Sequence, residues 1–275
     1  MRQRVSLSLT KKLAESIDAH VGVLGASRSA VIERMLQNFL DTERTCIILA
    51  GGGDYLVSDG EYRPFMKIGD KTLIEDIVAK VSGQGYKNII IIGSNTIGTR
   101  CFGIFGNGDA SHKISYIEEK EPKGAASTLA LARDRVSSSF LFVPCDHYFD
   151  FDLRVIEKAH RNGGFTVTLA IYGGVKYDNN TSAVAELEGN KIINYWDTPK
   201  TEKTRLVSTM IGFSEPDIFK LIPPCPSSLH MDIFPALAKK RVLGGVIVSG
   251  NFVNVHGRED ANTAKKISKT GWQPR

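Results

Sequence analysis

At Thr45 the character of the chain changes, and that change limits the fold more than any other feature. Residues 46–50 form an unbroken apolar run that ends in Gly51-Gly52-Gly53, and beyond it short apolar runs alternate with stretches of helical spacing. The pattern predicts strands over 46–50, 88–92, 140–144 and 165–172, and helices over 73–81, 125–135 and 153–160. A strand that is apolar along its whole length is covered on both faces, and crossover helices supply the cover. The expected fold class is therefore α/β, with a mixed, mostly parallel sheet. Further on, 183–187 and 192–196 flank Glu188-Gly189-Asn190-Lys191, which signals a hairpin.

Residues 1–43 are of another kind. Positions 4–9 alternate strictly, so Val5, Leu7 and Leu9 share one face of a strand while Arg4, Ser6 and Ser8 share the other. Thr10 is expected to cap a helix through about Val21, with Leu13, Ile17 and Val21 on one side, and Gly22 and Gly25 to break it. Ser27 is expected to cap a second helix over 28–40, whose apolar face carries Val31, Ile32, Met35, Leu36 and Phe39. One strand leaves a full row of backbone donors and acceptors unpaired, and so short a segment cannot bury a core alone. It needs a partner, most simply a second copy of itself, so a homodimer or higher assembly is expected. The linker over 41–44 is too short for two domains, 1–43 and 45–275, to move far apart.

Composition narrows the function classes. Of 275 residues 24% are charged and 42% hydrophobic, with no apolar run near the 18 or more a membrane span needs, which excludes membrane and disordered chains. Lys and Arg exceed Asp and Glu by 35 to 30, a net +5 that permits nucleic-acid contact without demanding it. Cys46, Cys101, Cys145 and Cys225 are scattered without a Cys-x-x-Cys pair, and three lie in apolar runs expected to be core strand or its end, so reduced structural thiols are expected. With no signal-peptide pattern at the start, a cytoplasmic location is expected. The six histidines show no metal-ligand spacing and are expected on the surface or satisfied in the core. Glu118-Glu119-Lys120-Glu121 is expected to be a solvated strand end or loop, and Lys265, Lys266 and Lys269 the exposed face of the last helix.

Strand, paired helices, glycine turn and Ser27-Arg28-Ser29 together resemble the ribbon-helix-helix DNA-binding regulators, over all 43 residues. That resemblance implies that strands from two chains pair as an antiparallel ribbon in the major groove of double-stranded DNA. The outward residues Arg4, Ser6 and Ser8 would then read base edges, and Ser27, Arg28 and Ser29 would clamp a backbone phosphate at a helix N-terminus. A strand-swapped dimerisation arm that touches no DNA is the alternative reading of the same residues.

The larger segment resembles the sugar-phosphate nucleotidyltransferases. The resemblance rests on Ile48-Leu49-Ala50-Gly51-Gly52-Gly53, Gly69-Asp70-Lys71-Thr72-Leu73-Ile74, Lys123-Gly124-Ala125-Ala126, Phe142-Val143-Pro144-Cys145-Asp146, Trp196-Asp197-Thr198-Pro199 and 230–235, in order. It implies a Rossmann-like domain and a ligand site that draws on Ala50, Gly51, Gly52, Gly53, Arg63, Gly124, Asp146 and Asp197. By family position a metal would take Asp146 and Asn254. The departures are pointed. Leu56 stands where the family loop carries an Arg, Asp54 adds a negative charge, and Asn254 replaces the second metal-binding Asp. Asp197 is a methylene shorter than the usual Glu, and Met210 stands where the family prefers Gly. A weakly held Mg²⁺ is the most that such a site is expected to keep.

The expected function is a DNA-binding transcription regulator whose nucleotidyltransferase-like domain binds a nucleotide, sugar phosphate or nucleotide sugar as effector. The alternative is an active sugar-phosphate nucleotidyltransferase carrying a DNA-binding arm, and whether the chain is an enzyme stays open at this point.

Overall fold

A lone strand has nothing to pair with, and the computed structural model, which describes residues 5–42, 44–53, 57–173, 183–197 and 206–270, shows the consequence. Residues 5–10, expected as a strand, carry no regular secondary structure, because the hydrogen-bonding partner of such a strand is not in the same chain. Val5 and Leu7 are left 71% and 57% exposed. Helix α1 (Lys11–Leu24) runs past Gly22, expected to break it, and closes on Gly25, whose left-handed backbone lets its N–H donate to Val21 O. Helix α2 (Arg28–Thr42) opens on Ser27, whose Oγ accepts from Ala30 N at 3.2 Å. Ile17 of α1 and Val31 of α2 are buried, while Leu13, Met35 and Leu36 stay exposed. The chain divides into two compact units at Arg44 and Thr45.

The second unit begins with β1 (Thr45–Ala50), followed by two two-residue hairpins, β2 (Val57–Ser58) with β3 (Glu61–Tyr62) and β4 (Lys67–Ile68) with β5 (Lys71–Thr72). Then come α3 (Leu73–Gly83), β6 (Asn88–Gly93), α4 (Asn95–Phe105), β7 (Lys113–Glu118) and α5 (Ala125–Ala130). They are followed by β8 (Phe140–Pro144), β9 (His147–Phe149), α6 (Leu153–Gly163) and β10 (Val167–Gly173). The chain continues through β11 (Val184–Glu188), β12 (Lys191–Trp196), β13 (Leu206–Ser214), α7 (Phe234–Lys239), β14 (Leu243–Val248), β15 (Phe252–Asn254) and α8 (Arg258–Thr270). Nine strands form one sheet in the order β10-β14-β12-β11-β13-β8-β1-β6-β7.

The sheet is mixed. β8, β1, β6 and β7 run parallel, and β13 pairs antiparallel with β8 to join them to the half that carries the hairpin. Alternate residues of β1 and β6 feed two cores, Cys46, Ile48, Ile89 and Ile91 on one face and Ile47, Leu49, Ile90 and Ile92 on the other. This is why those runs are apolar throughout. Residues from α3, α4, α6 and α8 fill the first core, and residues from α5 and α7 the second. The helix expected over 125–135 ends at Ala130, because the hydrogen bonds tighten to Leu131 N→Thr128 O and Ala132 N→Leu129 O and a short 3₁₀ turn follows. Cys46 and Cys145 lie in β1 and after β8 as expected, but the buried Cys101 is in α4. Among the described residues no helix is long and apolar enough to cross a membrane.

Candidate functional site

The parallel strands β1 and β8 end side by side, and a cleft of about 290 Å³ opens beyond them, its wall including Gly51, Gly52, Gly124, Thr128, Asp146, Met210, His230 and Asn254. Such a place, outside the carboxyl ends of parallel strands, is where open α/β sheets bind ligands. Ala50 is fully buried as the last residue of β1, and Gly53 is not part of the cleft wall. Gly51 has to be glycine, since a Cβ there would come within 2.6 Å of Thr128 and of Glu119 Oε1. Gly124, at φ +96°, packs as closely, its Cβ position 2.4 Å from Ser227 O.

Glu119 corrects the sequence expectation. Placed by its neighbours among solvated charges, it is only 5% exposed, and its carboxylate accepts from Gly52 N at 2.7 Å and from the Thr128 hydroxyl. It thereby ties the glycine loop to α5. Its near neighbours Lys120 and Glu121 do follow the expectation and face water.

Asp146 is held by a short ribbon. β9 pairs antiparallel with β15, His147 opposite Asn254, and Val255 N donates to Asp146 O at 2.8 Å. The ribbon therefore brings Asp146 and Asn254 together although 108 positions of sequence numbering separate them. Arg63, in a single 3₁₀ turn, donates from Nη1 to Asp146 Oδ2 at 3.3 Å, with both side chains largely buried. Arg63 Nε, His147 Nδ1 and Asn254 Oδ1 are buried without a hydrogen-bond partner. Burial pushes the pKa of His147 down, against the pull of neighbouring Asp146, so the ring is neutral at pH 7.

The orphaned Asn254 oxygen and the Asp146 carboxylate fit a Mg²⁺ that takes its other ligands from phosphate and water. The fit is a weak one, because a single carboxylate, already facing a guanidinium, offers little charge to a dication. Among the described residues no group of three or more His, Cys, Asp or Glu side chains could hold a metal ion.

The far wall comes from the antiparallel half of the sheet. Between Leu169 and Ile171 the β10–β13 register shifts, and the bulge is fixed by Thr209 Oγ1→Ala170 O at 2.9 Å and Ile211 N→Thr209 Oγ1 at 3.2 Å. At its centre Met210 adopts φ +57°, a conformation glycine takes freely and a bulky residue pays strain to hold. Opposite lies His230, in a π-helical turn over Leu229–Ile233, its Nδ1 2.5 Å from Tyr195 Oη. Burial lowers its pKa to about 4, although nearby Asp197 acts in the other direction. Asp197 itself is not part of the cleft wall and lies just past β12.

In the N-terminal unit Ser6, Ser8 and Ser29 are exposed, and Ser27 is engaged as a helix cap. Arg28 turns back on α1, where its guanidinium grips Asp18 through both nitrogens, Nε to Oδ1 at 2.7 Å. Arg4 and Leu56 lie outside the described residues. Sequence reasoning missed His147, His230, Glu119 and Thr128. Only His147, adjacent to Asp146, carried a positional hint.

The nucleotidyl transferase family model matches residues 45–240, well over half of the chain. The chain belongs to the nucleotidyl transferase family. Ahead of its nucleotidyl transferase domain, residues 3–43 match the copG-type ribbon-helix-helix model, so the protein joins a ribbon-helix-helix domain to a nucleotidyl transferase domain. Over 159 residues it is 26% identical to the mannose-1-phosphate guanylyltransferase catalytic subunit beta of Drosophila pseudoobscura pseudoobscura, covering 54% of this chain and 40% of that protein. The corresponding protein of Dictyostelium discoideum is 29% identical over 153 residues, with 54% and 42% covered. The chain thus spans about two fifths of the length of these curated relatives. The fold is shared with a structure described as a glucose-1-phosphate thymidylyltransferase of Bacillus anthracis, at TM-score 0.73 and 19% identity over 84% of this chain and 98% of that one. A UDP-glucose pyrophosphorylase complexed with UDP-glucose gives TM-score 0.69 at 16% identity, over 82% of this chain and 98% of that one.

Proposed function

We propose that the protein is a dimeric, cytoplasmic DNA-binding transcription regulator whose nucleotidyl transferase domain binds a nucleotide, sugar phosphate or nucleotide sugar as effector, with transfer chemistry mostly or wholly lost. The observation that carries this reading is the Arg63–Asp146 pair facing Asn254. Phosphoryl-type transfer depends on positioned cations that stabilise developing charge. Here the one carboxylate of the expected metal pair is engaged by a guanidinium, its counterpart is a neutral amide, and Leu56 stands in place of the loop Arg. Binding demands less: the cleft, its glycine loop and its unpartnered buried polar atoms remain.

If Mg²⁺ binds, Asp146 and Asn254 would hold it, and it would supply charge neutralisation at a phosphate. Arg63 would orient the same phosphate, and neutral His147 and His230 would offer hydrogen bonds without adding charge. Double-stranded DNA is the expected partner of the first domain, and the exposed Val5, Leu7 and Leu9 that of a second copy. The reading of an active nucleotidyltransferase with a DNA-binding arm is favoured by one observation, the retention of Asp146 in the cleft. Pyrophosphate release from a panel of nucleoside triphosphates and sugar 1-phosphates with Mg²⁺ decides between them: no turnover is expected, and robust turnover establishes the enzyme. For the DNA-binding half, Arg4→Ala is expected to cost about 1–3 kcal/mol on a selected operator and far less on random duplex. Equal losses on both would remove Arg4 from base reading.

A further inference from the structure

The Arg28 guanidinium uses its Nε and one terminal nitrogen on the two oxygens of Asp18, ten residues earlier on α1. Both side chains are about half exposed, 58% and 49%, so solvent and a third charged group can reach the pair. At the opening of α2 only Ala30 N finds a side-chain acceptor, on Ser27, and the first-turn N–H groups of Arg28 and Ser29 have no acceptor inside the helix. A DNA phosphate brought there meets free amides, a guanidinium already taken, and the charge of Asp18.

We propose that Asp18 sets the strength of DNA binding by competing with a backbone phosphate for Arg28. This rests on the DNA-binding reading of residues 1–43. An exposed ion pair is held weakly, so exchange of one anion for another is open to it, and a fork-shaped guanidinium accepts phosphate as readily as carboxylate. In a two-fold dimer the competition acts twice. Removing Asp18 therefore frees two cations for phosphate, which steepens the salt dependence by about 1.8 in the slope of log K against log salt, at about 0.9 per contact.

The test uses the full chain and a random-sequence duplex, titrated by fluorescence anisotropy at several salt concentrations. Asp18→Asn is expected to bind several-fold tighter with the steeper slope. Glu15→Gln, which removes an exposed charge from the same helix, is expected to change affinity much less. In an Arg28→Ala background, Asp18→Asn should do no more than Glu15→Gln does. Unchanged or weaker binding by Asp18→Asn overturns the proposal, as does a gain that persists undiminished without Arg28. Thermal melting of each variant, expected to match the parent, keeps a folding defect from imitating either result. A wild-type chain that binds no duplex at low salt refutes the DNA-binding reading itself, and this proposal with it.

Discussion

Met210 offers a test in which the expected sign is the reverse of the usual one. In an ordinary strand Gly is about 0.5–1 kcal/mol less stable than Ala, because it loses more backbone freedom on folding. Met210 sits at φ +57°, where a residue with a Cβ carries about 1–2 kcal/mol of strain that glycine does not. Both Met210→Ala and Met210→Gly lose the buried side chain, 7% exposed, at a cost of about 2–3 kcal/mol. Strain relief then offsets the entropy of glycine, so Met210→Gly should equal or exceed Met210→Ala, by up to about 1 kcal/mol. For a domain of this size that is up to about 2–4 °C in Tm. Thermal melting of the two variants side by side reads the difference without needing absolute stabilities. An alanine variant more stable than the glycine variant by about 1 kcal/mol would refute the strained bulge, and with it the reason that Met210 stands rigidly in the cleft wall.

Assembly should fail in Leu7→Asp, because a charge on the face shared by Val5, Leu7 and Leu9 cannot be buried against a second copy; light scattering that still shows a dimer would contradict this. Acid should weaken the large domain through His230. Unfolded, its ring takes up a proton near pH 6.5; folded, only near 4, so stability is complete above about pH 6.5 and falls by about 1.4 kcal/mol per pH unit down to about pH 4. Urea melts across that range should show a shallower fall in His230→Gln. Asn254→Asp combined with Leu56→Arg should raise Mg²⁺ affinity in the presence of nucleotide, each single change doing much less because both act on the same phosphates. Calorimetry that finds tight binding in the wild type, unchanged in the double variant, would mean that Asn254 is not at the metal position.

Much of the site could be read locally. The run into Gly51-Gly52-Gly53, the Asp that follows β8 and the hairpin around Gly189 each declare themselves within a few residues, because strand burial and turn chemistry are short-range effects. Glu119 could not be read that way. Its neighbours are charged and face water, and only the approach of Gly52 N and Thr128 from other segments buries it. His147 and His230 were hidden likewise, since the cleft that makes them neutral is built from strands and turns far apart in the chain.

By itself the sequence determined the division at residue 45, the alternation that makes an α/β sheet, and the single unpaired strand that requires a second copy. Those are consequences of periodicity and of backbone groups that must find partners. Tertiary structure alone decided what each polar group meets: Arg63 against Asp146, Asn254 across the ribbon from His147, Arg28 folded back on Asp18, and Met210 forced left-handed by a bulge. The charge of a side chain is written in its residue type. Its partner, and hence whether that charge is spent or available, depends on distances that only the folded chain sets.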